Sequence, residues 1–119
     1  MGSLAKLIEA EVASYDNTSW TGKLGGEDVT LVSLPLTSSD MVRITKKYPA
    51  FMSSPNLEGM VDLIILKARD KNGEKAFDLI DRPVLMRVAT SKIGEIFGTL
   101  FAEQITEDTE ENHEARIKK

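Results

Sequence analysis

The chain has no cysteine. That excludes disulfides, thiolate metal sites, iron–sulfur clusters and cysteine nucleophiles together. Histidine is almost as scarce, since His113 stands alone. It lies in an acidic segment with no second imidazole or thiol to share a metal, so Glu111, His113 and Glu114 read as solvated side chains and no metal is expected. A nucleophilic triad needs a base beside a Ser or Thr, and this histidine is far along the chain from the serines of the apolar part. An excess of positive charge is missing too. With a net charge of −4 the protein has no general attraction for a phosphate backbone, which nucleic-acid-binding proteins neutralise with clustered Lys and Arg. Long apolar runs are absent: the longest, Leu63 to Leu66, is far short of the roughly 20 residues that span a bilayer. The first residues, MGSLAKLIEAEVASY, carry Glu9 and Glu11 inside their apolar stretch. They are not a signal-peptide core, so the protein is expected to stay in the cytoplasm where it is made, with neither nucleic acid nor membrane as partner.

What remains is ordinary globular material. The chain has 119 residues, 41% hydrophobic and 29% charged, enough for one domain with a real core and too little for two. Most of the dense apolar segments lie between Ser54 and Phe101, so the fold must be built on that stretch. Before it, Leu4, Leu7, Ile8, Val12 and Tyr15 recur at helical spacing and predict an amphipathic helix over 3–15, with Ser3 as N-cap. A helix of this length is marginal alone and depends on what it docks against. Gly25-Gly26, ahead of the β-rich run Val29 to Leu34, predicts a hairpin starting near Trp20. Val29, Leu31 and Ser33 share one face of its second strand, and Thr30, Val32 and Leu34 the other; neither face is cleanly polar, so both are expected to be covered.

Thr37-Ser-Ser-Asp40 has the spacing of a capping box and predicts a helix over 38–48, closed by Pro49, with Met41, Ile44 and Tyr48 on one side. Phe51 and Met52 follow in a turn and are expected to tuck against the core. Ser54-Pro55 reads as N-cap and first helical residue, opening a helix whose Leu57, Met60, Val61, Ile64 and Ile65 form one stripe and which ends near Arg69. The β-branched residues ahead of Asn72-Gly73 keep a strand and hairpin open as the rival for its second half. Asp70-Lys-Asn-Gly73 is a turn, after which Phe77 returns to the core. Asp81 or Arg82 would cap a short helix opened by Pro83 and holding Val84, Leu85 and Val88. Thr90-Ser91 signals another helix start, with a final helix over 91–105 that carries Ile93, Ile96, Phe97, Leu100 and Phe101. That stripe is either core or interface. Gly94 and Gly98, four apart, predict that another backbone packs closely there, within the chain or from a second subunit. From 104 the composition turns to Glu, Asp, Arg and Lys, and 104–119 reads as a charged tail, either a helical extension or disordered. The expected architecture is α+β: a single, mainly helical domain over 1–103 with a small N-terminal hairpin. Carboxylate pairs such as Asp78 and Asp81 could in principle serve acid–base work, but Asp81 is better explained as a helix cap and Asp78 as a loop charge.

The order of these pieces carries a resemblance. VTLVSLPLTSSDMVRI, the Pro-started apolar helix, DKNGEKAF, DLIDRPVL and the closing IGEIFGTL follow one another over residues 24–102 in the succession that marks the small tail assembly chaperones of long-tailed bacteriophages, and the chain resembles that family. The resemblance implies a non-enzymatic protein without cofactor. It would bind and keep soluble the tape measure protein, self-associate, meet the tail tube protein through a frameshifted extension where one is made, act in the host cytoplasm, and be absent from the mature virion. The alternative is a structural virion component such as a head–tail connector or tail-completion protein. Expected partner-contact residues are the N-terminal Leu4, Leu7 and Ile8 and the exposed members of the stripe Ile93, Ile96, Phe97, Leu100 and Phe101.

Overall fold

Gly25 and Gly26 both adopt left-handed backbone angles, φ 63 and 84. This is the two-residue turn whose twist matches antiparallel strands, and residues with a Cβ rarely enter it. It joins β1 (Thr18–Leu24) to β2 (Glu27–Ser33), with Leu24 opposite Glu27, Trp20 opposite Leu31 and Thr18 opposite Ser33. The computed structural model describes residues 2–102. The tail expected over 104–119, His113 within it, and the end of the helix predicted over 91–105 lie outside those residues.

Strand alternation sends Trp20, Leu31 and Ser33 into the core. The Trp20 ring lies over Gly22, where a Cβ would come within 2.5 Å of Cζ2. The other face of β2 is only partly covered, with Leu34 exposed; along the strand's free edge Val32 exchanges two 2.8 Å backbone hydrogen bonds with Arg69.

Five α-helices are described. α1 spans Ala5–Ala13, shorter than expected, and its N-cap is Leu4 with no side-chain bond in place of Ser3. α2 (Ser38–Lys47) opens with the expected capping box: Asp40 N–H donates to Thr37 Oγ1 at 3.1 Å and Thr37 N–H to Asp40 Oδ2 at 2.9 Å. α3 (Leu57–Lys67) is helical, but Ser54 and Pro55 stand outside it. Its cap is Asn56, whose side-chain oxygen accepts from Gly59 N–H at 2.7 Å. An Asn directly before the apolar stripe is a better acceptor for that orphan N–H than a Ser two residues upstream. Of the two large side chains ahead of it, Phe51 is buried as expected and Met52 is not.

Past Lys67 the rival strand reading has some substance. Ala68 is extended, Arg69 bridges both Val32 and Lys75, and Asp70 Oδ1 accepts from the N–H of Asn72 and Glu74 to close the turn, with Gly73 at φ 85. Phe77 then packs back on the core. A 3₁₀ turn (Leu79–Asp81) leads into α4 (Arg82–Leu85), with Pro83 in its first turn. Asp81 caps backward, not forward: its carboxylate accepts from Asp78 N–H at 2.8 Å, and α4 has no side-chain cap.

α5 (Thr90–Phe97) starts at the predicted break, although neither Thr90 nor Ser91 caps it, and it continues as a π-helical turn over Gly98–Ala102. The Thr18 hydroxyl donates to the Leu100 carbonyl there at 3.0 Å, tying the hairpin to this turn. Space is open around Gly94 and Gly98, with no atom within 4 Å of a Cβ built on either. The close backbone packing expected within the chain is therefore not what these glycines serve. The core lies between α3, α5 and the hairpin. Its centre is an edge-to-face series in which Phe51 and Phe97 centroids are 6.0 Å apart and Phe97 and Phe101 5.5 Å. The fold is α+β. Among the described residues no helix is long and apolar enough to cross a membrane.

Candidate partner-binding surface

The structure separates the expected contact residues into two sets. Ile93, Ile96, Phe97, Leu100 and Phe101 are all buried in this chain's own core, so none is offered to a partner. Helical period alone places them on one face; α3 and the hairpin then cover that face completely. Leu4, Leu7 and Ile8 are the opposite case, at 64%, 65% and 63% exposure, with Val12 at 59%. α1 has no buried residue. Glu11 falls among these apolar positions, and it raises the pKa of Tyr15 through a side-chain hydrogen bond one turn on.

A second apolar group was not foreseen. Leu79 and Ile80, in the 3₁₀ turn, are 75% and 84% exposed, and Val84 of α4 is exposed beside them. Three-residue turns cannot bury both faces, and the flanking Asp78 and Asp81 already mark DLID as surface. That signal was present in the sequence.

Beneath this surface lies a polar cluster that fixes α2, α3 and α4. The Asp62 carboxylate accepts from Arg82 Nε at 2.6 Å, Tyr48 Oη at 2.9 Å and Lys47 Nζ at 3.3 Å. Burial opposes its ionisation, but the hydrogen bonds from Arg82, Tyr48 and Lys47 outweigh that and hold its carboxyl below the usual carboxylate range. Burial, with the bond to Asp62, moves the Tyr48 hydroxyl up. A carboxylate with three donors is a poor base and a tyrosine pushed upward a poor nucleophile, so this arrangement suits holding helices together. Asp40 repeats the pattern: against an opposing burial effect, its bonds to the Thr37 backbone and to Lys67, the latter at 2.9 Å, lower its carboxyl pKa and join α2 to α3. Asp78 and Asp81 are linked as a cap: Asp78 N–H donates to the Asp81 carboxylate at 2.8 Å and Asp81 N–H to the Asp78 carbonyl at 2.9 Å. Among the described residues no cluster of three His, Asp or Glu side chains could hold a metal.

Two grooves open on the surface. One, of about 510 Å³, lies between α2, α3 and the Lys75–Leu79 segment, with Ile44, Leu63, Leu66 and Leu79 as its apolar lining and Arg43, Lys47 and Lys75 among its cations. The other, of about 450 Å³, lies between the hairpin tip, α4 and α5 and is lined by Leu24, Phe77, Val84 and Val88. Both are mainly apolar, the type of surface that accepts an amphipathic helix.

Compared with known protein families, with curated proteins and with solved structures, the chain matches none.

Proposed function

We propose that this chain is a non-enzymatic tail assembly chaperone of a long-tailed bacteriophage. It binds the tape measure protein and keeps it soluble in the host cytoplasm, promotes tail tube assembly, and leaves before the virion matures. It self-associates, needs no cofactor, and reaches the tail tube protein through a frameshifted extension where one is made. Neither nucleic acid nor membrane is a partner.

The observation that carries this reading is the bare apolar face of α1, Leu4, Leu7 and Ile8, on a chain whose Asp62 cluster is committed to holding helices together. Covering one large apolar side chain contributes roughly 1.5–3 kcal/mol. A few such anchors can therefore hold an amphipathic segment of a long client.

Co-expression with the tape measure protein tests the proposal. The client is expected in the soluble fraction, and in a pull-down, only when this chain is present, and to be lost with Leu7→Asp. If the two proteins neither co-purify nor change each other's solubility, and mass spectrometry finds this chain in mature particles, the chain is a virion component such as a head–tail connector or tail-completion protein.

A further inference from the structure

α1 and the α2–α3 groove are complementary surfaces on one chain. Leu4, Leu7, Ile8 and Val12 line one side of α1, and Glu11 sits among them. Covering that face with a purely apolar partner would leave the Glu11 carboxylate with the Tyr15 hydroxyl as its donor and its charge unpaired, so a cover that supplies a cation is favoured. The α2–α3 groove is such a cover. Ile44, Leu63, Ile65, Leu66 and Leu79 give it an apolar floor between charged edges, where among the described residues Arg43 has no acidic partner and Lys75 donates to the Ile65 carbonyl, at 2.8 Å. Two of the three acids of the same groove are already engaged by cations, Asp40 by Lys67 and Asp62 by Arg82; the third, Asp78, precedes Leu79 at the far wall.

We infer that α1 of one copy lies in the α2–α3 groove of a second copy, with Leu7 and Ile8 on the apolar lining and Glu11 against Arg43 and Lys75, and that the exchange is reciprocal. Area decides for reciprocity. At these exposures the four apolar residues of one α1 leave roughly 400 Å² open, so two α1 faces pressed together bury about 800 Å², the size of an incidental packing contact. Two helices each seated in a groove bury about twice that before the polar edges are counted, which reaches the range of specific dimers. The helix root is suitably placed, because Asn17 and Leu66 line one pocket and Leu66 also lines the groove. A lipid surface is a poorer cover, since Glu9 and Glu11 outnumber the single Lys6 of α1. The inference shares the α1 face with the client reading above. A second copy and a client would compete for it; the test uses no client, so its failure removes self-association from that reading and leaves client binding standing.

Because the chain has no cysteine, the contact can be trapped between two separately purified variants, Ile8→Cys and Leu79→Cys. Mixed under mild oxidation, they should form a disulfide-linked heterodimer as the main product, and adding Arg43→Glu to the second variant should lower its yield by about tenfold. Glu11→Arg in the first variant should restore it, which a merely misfolded protein would not do. Sedimentation of the native chain should give a dimer, and removal of residues 1–13, among which no described residue belongs to the core, should give a folded monomer. A native chain that is monomeric at high micromolar concentration overturns the inference. So does a dimer that survives the truncation, or a heterodimer yield indifferent to the charge reversal. A double variant carrying both cysteines that closes only within one chain shows α1 folding back on its own groove and overturns it equally.

Discussion

The ring of Phe51 lies directly on Gly59: a Cβ added there would sit 2.5 Å from Phe51 Cε1 and 2.8 Å from the Asn56 oxygen that caps α3. Gly59 is in the first turn of a helix, where alanine is favoured by up to about 1 kcal/mol. The close approach reverses that preference. Gly59→Ala is expected to destabilise the protein by about 1–3 kcal/mol, because Phe51 must leave its edge contact with Phe97 and the cap must lengthen. Gly94→Ala on α5 has open space around the new methyl group and should stabilise by up to about 1 kcal/mol. Urea denaturation of the two variants beside the native chain checks both signs.

Asp62 makes stability depend on pH in a set direction. Its carboxyl pKa is lower in the folded chain than in the unfolded one, where it is near 3.9, despite the opposing cost of burial. The unfolded state therefore binds the proton more readily. The contribution is complete above about pH 4 and is lost as pH falls through the folded value. Asp40 acts in the same direction. Asp62→Asn should cost about 1–3 kcal/mol at pH 7, since Arg82 and Tyr48 lose their charged acceptor, and much less at pH 3. Denaturation midpoints of native and variant chains at both pH values should converge on acidification; parallel curves would contradict the assignment.

Trp20 is held at both ends. Its ring packs in the core, and its Nε1–H donates to Glu95 Oε2 at 2.7 Å, fastening the hairpin to α5. Glu95→Ala leaves that donor to water or to nothing and should cost about 1–2 kcal/mol. Trp20 is the only tryptophan, so the fluorescence reports the surroundings of this one ring, its burial and its bond to Glu95 together. Glu95→Gln, which keeps an acceptor, should recover most of the loss.

The elements legible in the sequence were those whose signal is local. Gly25-Gly26 needs nothing beyond itself to make its turn, the Thr37 and Asp40 side chains close their own box, and Asp70 with Gly73 does the same. Tertiary contacts decided the rest. Whether Ile93 to Phe101 form core or interface depends on whether α3 and the hairpin cover them, and a stripe at helical spacing looks the same in both cases. Gly94 and Gly98 looked like a packing seam by spacing, whereas the glycines under real steric pressure, Gly22 and Gly59, are set by aromatic rings remote in any local pattern. Pro55 misled for a related reason: its preference for the first helical turn is statistical, and the Asn that follows it captured the cap. On the partner surface, α1 was legible because nothing in the chain competes for it. The α2–α3 groove was not, because its walls come from three separate segments spread over residues 40–79.

That division gives a paired prediction. Phe97 stands between Phe51 and Phe101 in the core, so Phe97→Asp places a charge where no partner and no water can reach it. The cost of burying it unpaired, together with the lost aromatic packing, is about 4 kcal/mol or more, a large part of the whole stability of a domain this size. The variant should be unfolded or insoluble, and a loss of client binding in it would say nothing about an interface. Leu7→Asp is the informative change. Its side chain is 65% exposed, so stability should shift by no more than about 0.5 kcal/mol, while any association that uses the α1 face should weaken strongly. Circular dichroism and a thermal melt of both variants, read before any binding measurement, check the pair: a Phe97→Asp chain that melts like the native protein would mean that the stripe on α5 is not the core described above.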